Sequence, residues 1–476
     1  MRLGPLRQLN FPCILQIRMR ILILGGGAVG ASVARRLIRE KNEIVIVEGS
    51  EEQCSQLEDT LDAKIVQGNA ASIRTLQKAG LSDADMLIAV TNSDEANLLG
   101  CLIAQARSNI KIKVARLRTH EVDLWRSVCG GQLLNIDLVI HPDRETAERI
   151  QRVVGLPGIS DIQEFAEGKV ILVGMNIASD SWLVGKSLEK LKHSGPPSNS
   201  LVVMIFRGNQ VIIPRGDDHL RAGDHAYIVA TADKVSETFK FMGVEEVERV
   251  KRVFIIGGKQ IGIEVALQLE EKGVRVKLFE RELRRCKKIS ELVKDTVVVH
   301  ADGTDQMALI EENIEGIDAY LALTGDDEGN IISSLLSKRL GARKAIALVN
   351  RLDFLPMAQL LGINSIFSSR LVIVDRILQF VRKGHILSVT TFRQEEAEAI
   401  ELVADAGSKF IGKKLRDLRL PRGSIVGSIS RPSGEVIVPR GDSVIEAGDR
   451  VLLFCLERLV PELESAFIAG PGRETA

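Results

Sequence analysis

The fold of this chain is decided by the stretch RILILGGGAVG at residues 20–30, in which an apolar run ends in a glycine-rich turn. The glycines follow the pattern G-x-G-x-x-G, and a helical pattern begins directly after them. Gly25 permits a tight turn, Gly27 allows the backbone to approach a pyrophosphate, and Gly30 lets the helix pack closely on its strand. The stretch therefore predicts a strand, a phosphate-binding turn and a helix whose N-terminus offers N–H groups to an anion.

A carboxylate at the end of the next strand pattern adds to this prediction. Glu48 closes the run EIVIVE at residues 43–48 and follows the last glycine of the turn, Gly30, by 18 residues, the difference between 48 and 30. A carboxylate in this place accepts hydrogen bonds from ribose hydroxyls and repels a 2′-phosphate. The turn and the carboxylate together predict a site for NAD or another adenosine nucleotide rather than for NADP.

The chain contains this pattern twice. RVFIIGGKQIG at residues 252–262 repeats residues 20–30 at an offset of 232, the difference between 257 and 25, and TGDDEGN at residues 324–330 repeats an earlier TNSDEAN. A smaller module also recurs, because VIIPRGD at residues 211–217 returns as VIVPRGD at residues 436–442. Two large and two small modules therefore alternate along the chain.

The two kinds of module predict two kinds of domain. The large modules alternate short β-branched runs with helical periodicity, which indicates a parallel sheet with helices on both faces. The small modules contain short strand patterns separated by Gly/Asp turns. We therefore predict an α/β protein with two Rossmann-like doubly wound parallel sheets, each followed by a small α+β domain.

The module boundaries divide the chain as follows. We predict Rossmann-like domains at residues 19–140 and 251–370, small domains at residues 156–232 and 387–460, and linkers at residues 141–159, 231–251 and 371–386. Residues 1–18 are interpreted as a disordered or misassigned extension, with Met19 a candidate translation start.

The second glycine-rich turn departs from the first at its middle position. Lys259 stands where the first copy has Gly27, so a side chain occupies the place where backbone meets phosphate. Either this site has lost dinucleotide binding, which the crowding favours, or the lysine projects outward and adds positive charge toward a phosphate. The candidate residues of the second site are Gly257, Gly258, Lys259, Gln260, Ile261, Gly262 and Glu280.

Composition narrows the classes of protein. Lys+Arg and Asp+Glu both number 63, and this balance argues against a nucleic-acid-binding protein, which would need a basic excess. The six cysteines form no CxxC pair, so we expect free thiols in a reducing cytoplasm and no metal site. No apolar run approaches the roughly 20 residues that cross a bilayer. These observations predict a soluble cytoplasmic protein.

The repeated motifs, taken together, resemble the KTN/RCK family of regulatory proteins of bacterial Trk-type potassium uptake systems. GGGAVG, TNSDEAN and the twice-seen IPRGD…AGD pattern carry this resemblance, which runs from about residue 19 to about residue 459. It implies a cytosolic homo-oligomer that docks on a membrane potassium transporter at the inner face of the plasma membrane. It further implies regulation by NAD(H) or by ATP/ADP.

The resemblance also extends the candidate site. Asn69 stands where the family usually has an aspartate next to the adenosine, and Thr91 and Asn92 follow the fourth strand at the carboxyl edge of the sheet. Arg116 ends the next strand and is a candidate for a phosphate contact or for an ion pair with a nearby acid, with Asn350-Arg351 as its weaker counterpart in the second copy. The candidate residues of the first site are Gly25, Gly26, Gly27, Ala28, Val29, Gly30, Glu48, Asn69, Thr91, Asn92 and Arg116.

An NAD-dependent oxidoreductase is the main rival, because dehydrogenases share the glycine-rich turn. Such an enzyme needs a proton-transfer group beside the nicotinamide. His219 and His225 of the small module align with Val444 and Arg450 in its repeat, and we interpret them as surface residues. The sequence therefore favours a regulatory protein over an enzyme, and a regulator of a different channel or antiporter stays open as a further alternative.

Overall fold

The computed structural model describes residues 18–118, 135–156, 158–193, 199–208, 210–243, 250–363, 365–381, 386–392 and 396–467. Residues 1–17 of the predicted extension lie outside the described residues.

Among the described residues, six parallel strands and four helices form the first large domain. The strands are β1 (Arg20–Leu24), β2 (Glu43–Glu48), β3 (Lys64–Gln67), β4 (Met86–Ala89), β5 (Ile112–Arg116) and β6 (Leu138–Ile140). The helices are α1 (Ala28–Arg39), α2 (Glu51–Thr60), α3 (Ile73–Lys78) and α4 (Asp94–Arg107). The strand order is β3-β2-β1-β4-β5-β6, which is the doubly wound Rossmann order and confirms the predicted fold class.

In the described part of the chain, five antiparallel strands follow, with helices before, between and after them. The helices before and between the strands are α5 (Pro142–Val154) and α6 (Leu188–His193). The strands are β7 (Ile159–Phe165), β8 (Val170–Asn176), β9 (Ser200–Arg207), β10 (Gln210–Ile212) and β11 (His225–Thr231), and helix α7 (Val235–Phe241) comes after them. The strand order β10-β9-β11-β8-β7 makes an antiparallel sheet, and this sheet with its helices forms the small α+β domain that the sequence predicts.

The second half repeats this architecture. Its parallel strands are β12 (Arg252–Ile256), β13 (Arg275–Glu280), β14 (Val297–His300), β15 (Ala319–Ala322), β16 (Ala345–Leu348) and β17 (Ser365–Phe367), ordered β14-β13-β12-β15-β16-β17. Its helices are α8 (Gln260–Glu270), α9 (Leu283–Leu292), α10 (Gln306–Glu311), α11 (Asp327–Arg339), α12 (Leu355–Leu360) and α13 (Ser369–Val381). The last sheet contains β18 (Ile386–Phe392), β19 (Ala397–Val403), β20 (Ser424–Ser430), β21 (Val436–Ile437) and β22 (Arg450–Leu456), and α14 (Val460–Phe467) follows it.

The strands at the centre of each parallel sheet are apolar along their length because helices cover both faces. In β1, Ile21 and Ile23 face one hydrophobic cluster, while Leu22 and Leu24 face another on the opposite side. The period-two alternation of a strand thus distributes one continuous apolar run between two cores.

Helices α5 and α13 exchange places between the two halves. Helix α5, which leaves the first Rossmann domain, buries Ile150 and Val153 in the core of the second. Helix α13, which leaves the second, buries Ile373 and Ile377 in the core of the first. The prediction that residues 141–159 and 371–386 are linkers was wrong for these helical parts, because each helix fills the open sheet face of the other half.

Buried polar contacts fix this exchange. The Arg149 guanidinium of α5 lies 3.2 Å from the Asp375 carboxylate of α13, and burial raises the pKa of Asp375 to about 6. The Lys344 ammonium donates to the carbonyl oxygens of Val153, Leu156 and Ile159, where α5 ends and β7 begins. Lys344 is 2% exposed, and its hydrogen bonds satisfy carbonyl groups that a helix end leaves without partners.

A matched pair of cavity-forming substitutions tests the exchange. Ile377 and Ile150 are both 0% exposed, and each lies in the core of the Rossmann domain from which its own helix does not derive. We expect Ile377→Ala to speed hydrogen exchange in β1–β5 and Ile150→Ala to speed it in β12–β16, with local stability lost by about 2–5 kcal/mol.

Peptide-resolved hydrogen–deuterium exchange measures this pair. Arg144→Ala, on the exposed side of α5, is the control and leaves both sheets protected. Faster exchange in the domain that precedes each mutated helix, with the other domain unchanged, would contradict the exchanged packing.

Candidate functional site

The first glycine-rich turn has the geometry that its sequence predicts. Gly25 has a φ of +100°, a conformation that side-chain-bearing residues rarely adopt, and a Cβ there would lie 2.9 Å from the Thr91 backbone. A Cβ on Gly30 would collide with the Gly25 carbonyl oxygen. In contrast, a Cβ on Gly27 would meet no atom within 4 Å, so the space above the turn is open.

The start of α1 faces this open space with unsatisfied backbone donors. Gly27 is the N-cap, no side chain caps the helix, and the first turn contains no acidic residue. Helices α2, α3 and α4 differ, since Ser50, Ser72 and Ser93 cap them. The first N–H groups of α1 and its positive dipole end are therefore available to an anion.

Glu48 is held next to the turn by backbone N–H groups. Its carboxylate accepts hydrogen bonds from Gly26 at 2.7 Å, from Gly49 at 2.7 Å and from Ser50 at 2.9 Å. Its position is therefore set before any ligand arrives, at the edge where β1 and β2 end side by side. A carboxylate held in this way accepts further hydrogen bonds from hydroxyl groups.

A buried asparagine, which the sequence analysis did not single out, organises the opposite side of the crevice. Asn97 is 0% exposed; its Oδ1 accepts from the Thr91 hydroxyl at 2.8 Å, and its Nδ2 donates to the Arg116 carbonyl at 2.8 Å. The repeated TNSDEAN motif contains this residue, and Asn330 makes the same contacts to Thr324 and Leu348. The recurrence of the motif was the signal that could have identified it.

Arg116 lies at the same edge with an incompletely satisfied guanidinium. It is 7% exposed, and its Nε has no hydrogen-bond partner among the described residues. Burial, with a smaller contribution from Arg118, lowers the pKa of Arg116 to about 10, so the group stays charged at neutral pH. Asp143 and Asp94 attract the guanidinium more weakly, and no salt bridge joins it to an acidic side chain among the described residues.

The remaining candidates lie at the rim. Asn69 is exposed, and its Oδ1 accepts from Ala71 N–H at 2.8 Å, while Asn92 is exposed on the loop after β4. The register of β1 with β2 and β4 brings the glycine turn, Glu48 and Thr91 to one carboxyl edge. This edge includes the point where the strand order reverses between β1 and β4, at which ligands of open α/β sheets bind.

The carboxyl edge of the second parallel sheet, called the second edge below, keeps most of the geometry of the first edge. Gly257 has a φ of +107°, and the Gly258 N–H donates to Glu280 at 3.0 Å. Lys259 has φ −78° and ψ 176°, close to the −64° and −172° of Gly27, so the turn is preserved. Its ammonium reaches across the crevice to the backbone of Gly325, and the Gln260–Gly262 segment starts α8 as its counterpart starts α1.

The prediction that Asn350-Arg351 is the counterpart of Arg116 was wrong. Leu348 holds the equivalent place, because its carbonyl accepts from Asn330 as that of Arg116 accepts from Asn97. Arg351 lies in the loop beyond β16 and pairs with Glu328 at 2.9 Å.

Two histidines bear on the oxidoreductase alternative. His219 is exposed, as predicted, whereas His225 is half-buried on β11, where its Nε2 hydrogen-bonds the Ser160 hydroxyl. The prediction that His225 is a surface residue was therefore wrong, because β11 is a central strand of its sheet. Both histidines belong to the first small domain and not to the Rossmann edge.

In the described part of the chain, no helix is long and apolar enough to cross a membrane. Within the same residues, no group of three or more His, Cys, Asp or Glu side chains is placed to hold a metal ion.

Comparisons with known proteins agree with the duplicated architecture. The TrkA-N domain family matches residues 21–142 and 253–369, and the TrkA-C domain family matches residues 172–243 and 399–468. The Trk system potassium uptake protein TrkA of Halomonas elongata is 36% identical over 457 residues, which is 95% of this chain and 99% of that protein. The protein of the same name from Azorhizobium caulinodans is 36% identical over 453 residues, which is 94% of this chain and 98% of that protein.

Solved structures agree at the level of the fold. The crystal structure of the GsuK RCK domain is 18% identical, has a TM-score of 0.59 and covers 98% of both chains. The GsuK channel bound to NAD is 18% identical, has a TM-score of 0.58, and covers 96% of this chain and 80% of that chain.

Fold and edge geometry together define a class of protein in which two Rossmann domains alternate with two small antiparallel domains. The sequence matches narrow this class. The chain belongs to the family of the Trk system potassium uptake protein TrkA.

Two alanine substitutions test the different roles of Gly30, which has no room for a side chain, and Gly27, which faces open space. We expect Gly30→Ala to lower the free energy of unfolding of the first Rossmann domain by about 1–3 kcal/mol, because the new methyl group overlaps the Gly25 carbonyl. Gly27→Ala should change this free energy of unfolding by no more than about 0.5 kcal/mol. Thermal unfolding monitored by circular dichroism measures both, and equal loss in the two variants would refute the assigned turn geometry.

Proposed function

We propose that this chain is the nucleotide-binding regulatory subunit of a Trk-type potassium uptake system. The observation that carries the proposal is the turn at residues 25–30, where bare backbone and an uncapped helix start face open space beside a fixed carboxylate. Membership of the TrkA family indicates that the regulated system is a potassium uptake system. The chain is thereby a ligand sensor for a transporter.

NAD(H) is the ligand we propose for the first site, with ATP or ADP as the alternative. The N–H groups of Gly27–Gly30 would hold the pyrophosphate, and Arg116 would add a charged donor. Glu48 would accept from the ribose hydroxyls and disfavour a 2′-phosphate. Asn69, Thr91 and Asn92 would line the rim of the bound ligand.

The partner we propose is a membrane potassium transporter subunit. Its relatives are named as Trk system potassium uptake proteins, and the described helices contain no membrane span, so the pore would belong to another chain. The chain would act in the cytoplasm as a homo-oligomer, at the inner face of the plasma membrane. The balance of charged residues gives no support for a nucleic-acid partner.

Ligand binding would regulate the partner by shifting a conformational equilibrium. Helix α1 starts at the pyrophosphate site, packs on the exchanged helix α13, and pairs its Arg36 with Glu398 of β19 at 2.8 Å. A ligand that fits one arrangement of these elements better than another shifts their populations, and equal affinity would shift nothing. We propose that this shift changes the angle between the Rossmann domains and is transmitted to the transporter.

A charge reversal in the turn tests the first site. Because Gly27 has open space around it, Gly27→Asp should fold, but it places a carboxylate against the pyrophosphate. We expect the NADH affinity of the first site to fall by about 100-fold or more in calorimetric titration. Ser179→Asp, which adds the same charge to an exposed turn of the first small domain, is the control. Unchanged NADH binding in folded Gly27→Asp protein would refute the assignment.

An assay for turnover addresses the oxidoreductase alternative. We expect purified protein incubated with NADH and a panel of aldehydes, ketones and 2-oxo acids to show no steady oxidation of NADH in a spectrophotometric assay. Sustained turnover with any of these carbonyl compounds, lost in Gly27→Asp, would replace the regulatory proposal with an enzymatic one.

A further inference from the structure

The two Rossmann edges of this chain share one frame, so their differences can be compared position by position. Glu48 and Glu280 each accept a hydrogen bond from the second glycine of their turn. Cys54 and Cys286 each donate to the carbonyl of that glutamate. The equivalence of the two edges is therefore defined by contacts as well as by the sequence offset.

The first difference is the side of the crevice on which the larger side chain lies. The first edge has Gly27 on the turn and Asn92 on the facing loop, whereas the second has Lys259 on the turn and Gly325 on the loop. A Cβ on Gly325 would collide with the Lys259 ammonium. The backbone of Gly325 lies outside the left-handed region, so its conformation does not require glycine. In the second edge, the Lys259 side chain therefore occupies the space that Gly325, which has no side chain, leaves open.

The second difference is charge. The first edge has its cation, Arg116, at the end of β5, and the equivalent residue in the second edge is Leu348. The second edge has its cation on the turn itself, and it gains others around Glu280. The rim positions Gly49, Glu52 and Gln53 of the first edge become Arg281, Arg284 and Arg285 in the second.

These cations change what the second edge accepts. The Arg285 guanidinium lies 4.0 Å from Glu280 and donates to the Gly258 carbonyl at 3.3 Å, so it offsets the carboxylate that repels phosphates. The Lys259 ammonium forms no ion pair with any residue in the described ranges. The Lys259 ammonium lies at the point where the strand order reverses, which is where ligands of open α/β sheets bind. It is therefore placed to pair with an anionic group of a ligand bound there.

We propose that the second edge binds an adenosine nucleotide that ends in a phosphate, of the ADP class, and discriminates against NAD. The inference rests on the proposed function, in which the first edge binds NAD(H). The Lys259 ammonium pairs with the terminal phosphate. In NAD that phosphate is esterified to a second nucleoside, which would have to pass between the turn and the facing loop, where the lysine side chain lies.

Two substitutions at one position separate the charge of Lys259 from its bulk. The full-length chain carrying Gly27→Asp, which disables the first edge, is titrated with ADP and with NAD. We expect ADP to bind at least tenfold more tightly than NAD. Adding Lys259→Met, which keeps the bulk of the side chain, should weaken ADP binding by about tenfold or more and leave NAD binding weak. Adding Lys259→Gly should weaken ADP binding by a similar factor and strengthen NAD binding.

A control and a second measurement complete the test. Lys287→Met removes the same charge from the exposed side of α9 and should change neither affinity. If Gly27→Asp protein does not fold, ADP is titrated into wild-type and Lys259→Met protein saturated with NADH. Equal binding of ADP and NAD, no binding of ADP, or ADP affinity unaffected by Lys259→Met would overturn the proposal. The proposed function fails separately, through NADH binding that Gly27→Asp does not weaken.

Discussion

The exchange of helices α5 and α13 is the constraint on which the rest of the structure depends. A doubly wound sheet needs helices on both faces, and each Rossmann sheet obtains one of them from the other half of the chain. Neither half therefore completes its apolar core without the other. The two halves therefore depend on each other for folding, and the helix that begins at each glycine turn packs against a helix contributed by the opposite half.

Buried charges make this association of the two halves specific. Arg36 and Glu398 are 2% and 1% exposed, and they join the helix that begins at the first glycine turn to the last antiparallel sheet. Burying such a pair costs desolvation, so its main effect is to specify which elements meet. Where α5 and α13 cross, the buried Asp375 pairs with Arg149, whose side chain is 33% exposed. The equivalents of Arg36 and Glu398 in the other halves, Gln268 and Ile171, are uncharged, so the link is confined to the first edge.

Sequence reasoning identified the parts of the site that depend on local sterics. Gly25 has a left-handed φ, and Gly30 lies too close to the Gly25 carbonyl to carry a side chain. Both requirements arise within a few residues of the chain. Sequence reasoning missed Asn97, whose role arises from hydrogen bonds to Thr91 and to the more distant Arg116. It also matched Arg116 with Arg351, because strand ends cannot be aligned by residue type alone when the true counterpart is an apolar Leu348.

The sequence by itself determined the duplication, the strand–turn–helix at each copy and the class of fold, because these follow from periodicity and from glycine positions close together in the chain. Only the tertiary structure decided which core each connecting helix joins and where the Lys259 side chain goes. An amphipathic helix specifies that one face is buried but not which sheet covers it. Likewise, the direction of a long side chain is set by the space that distant residues such as Gly325 leave open.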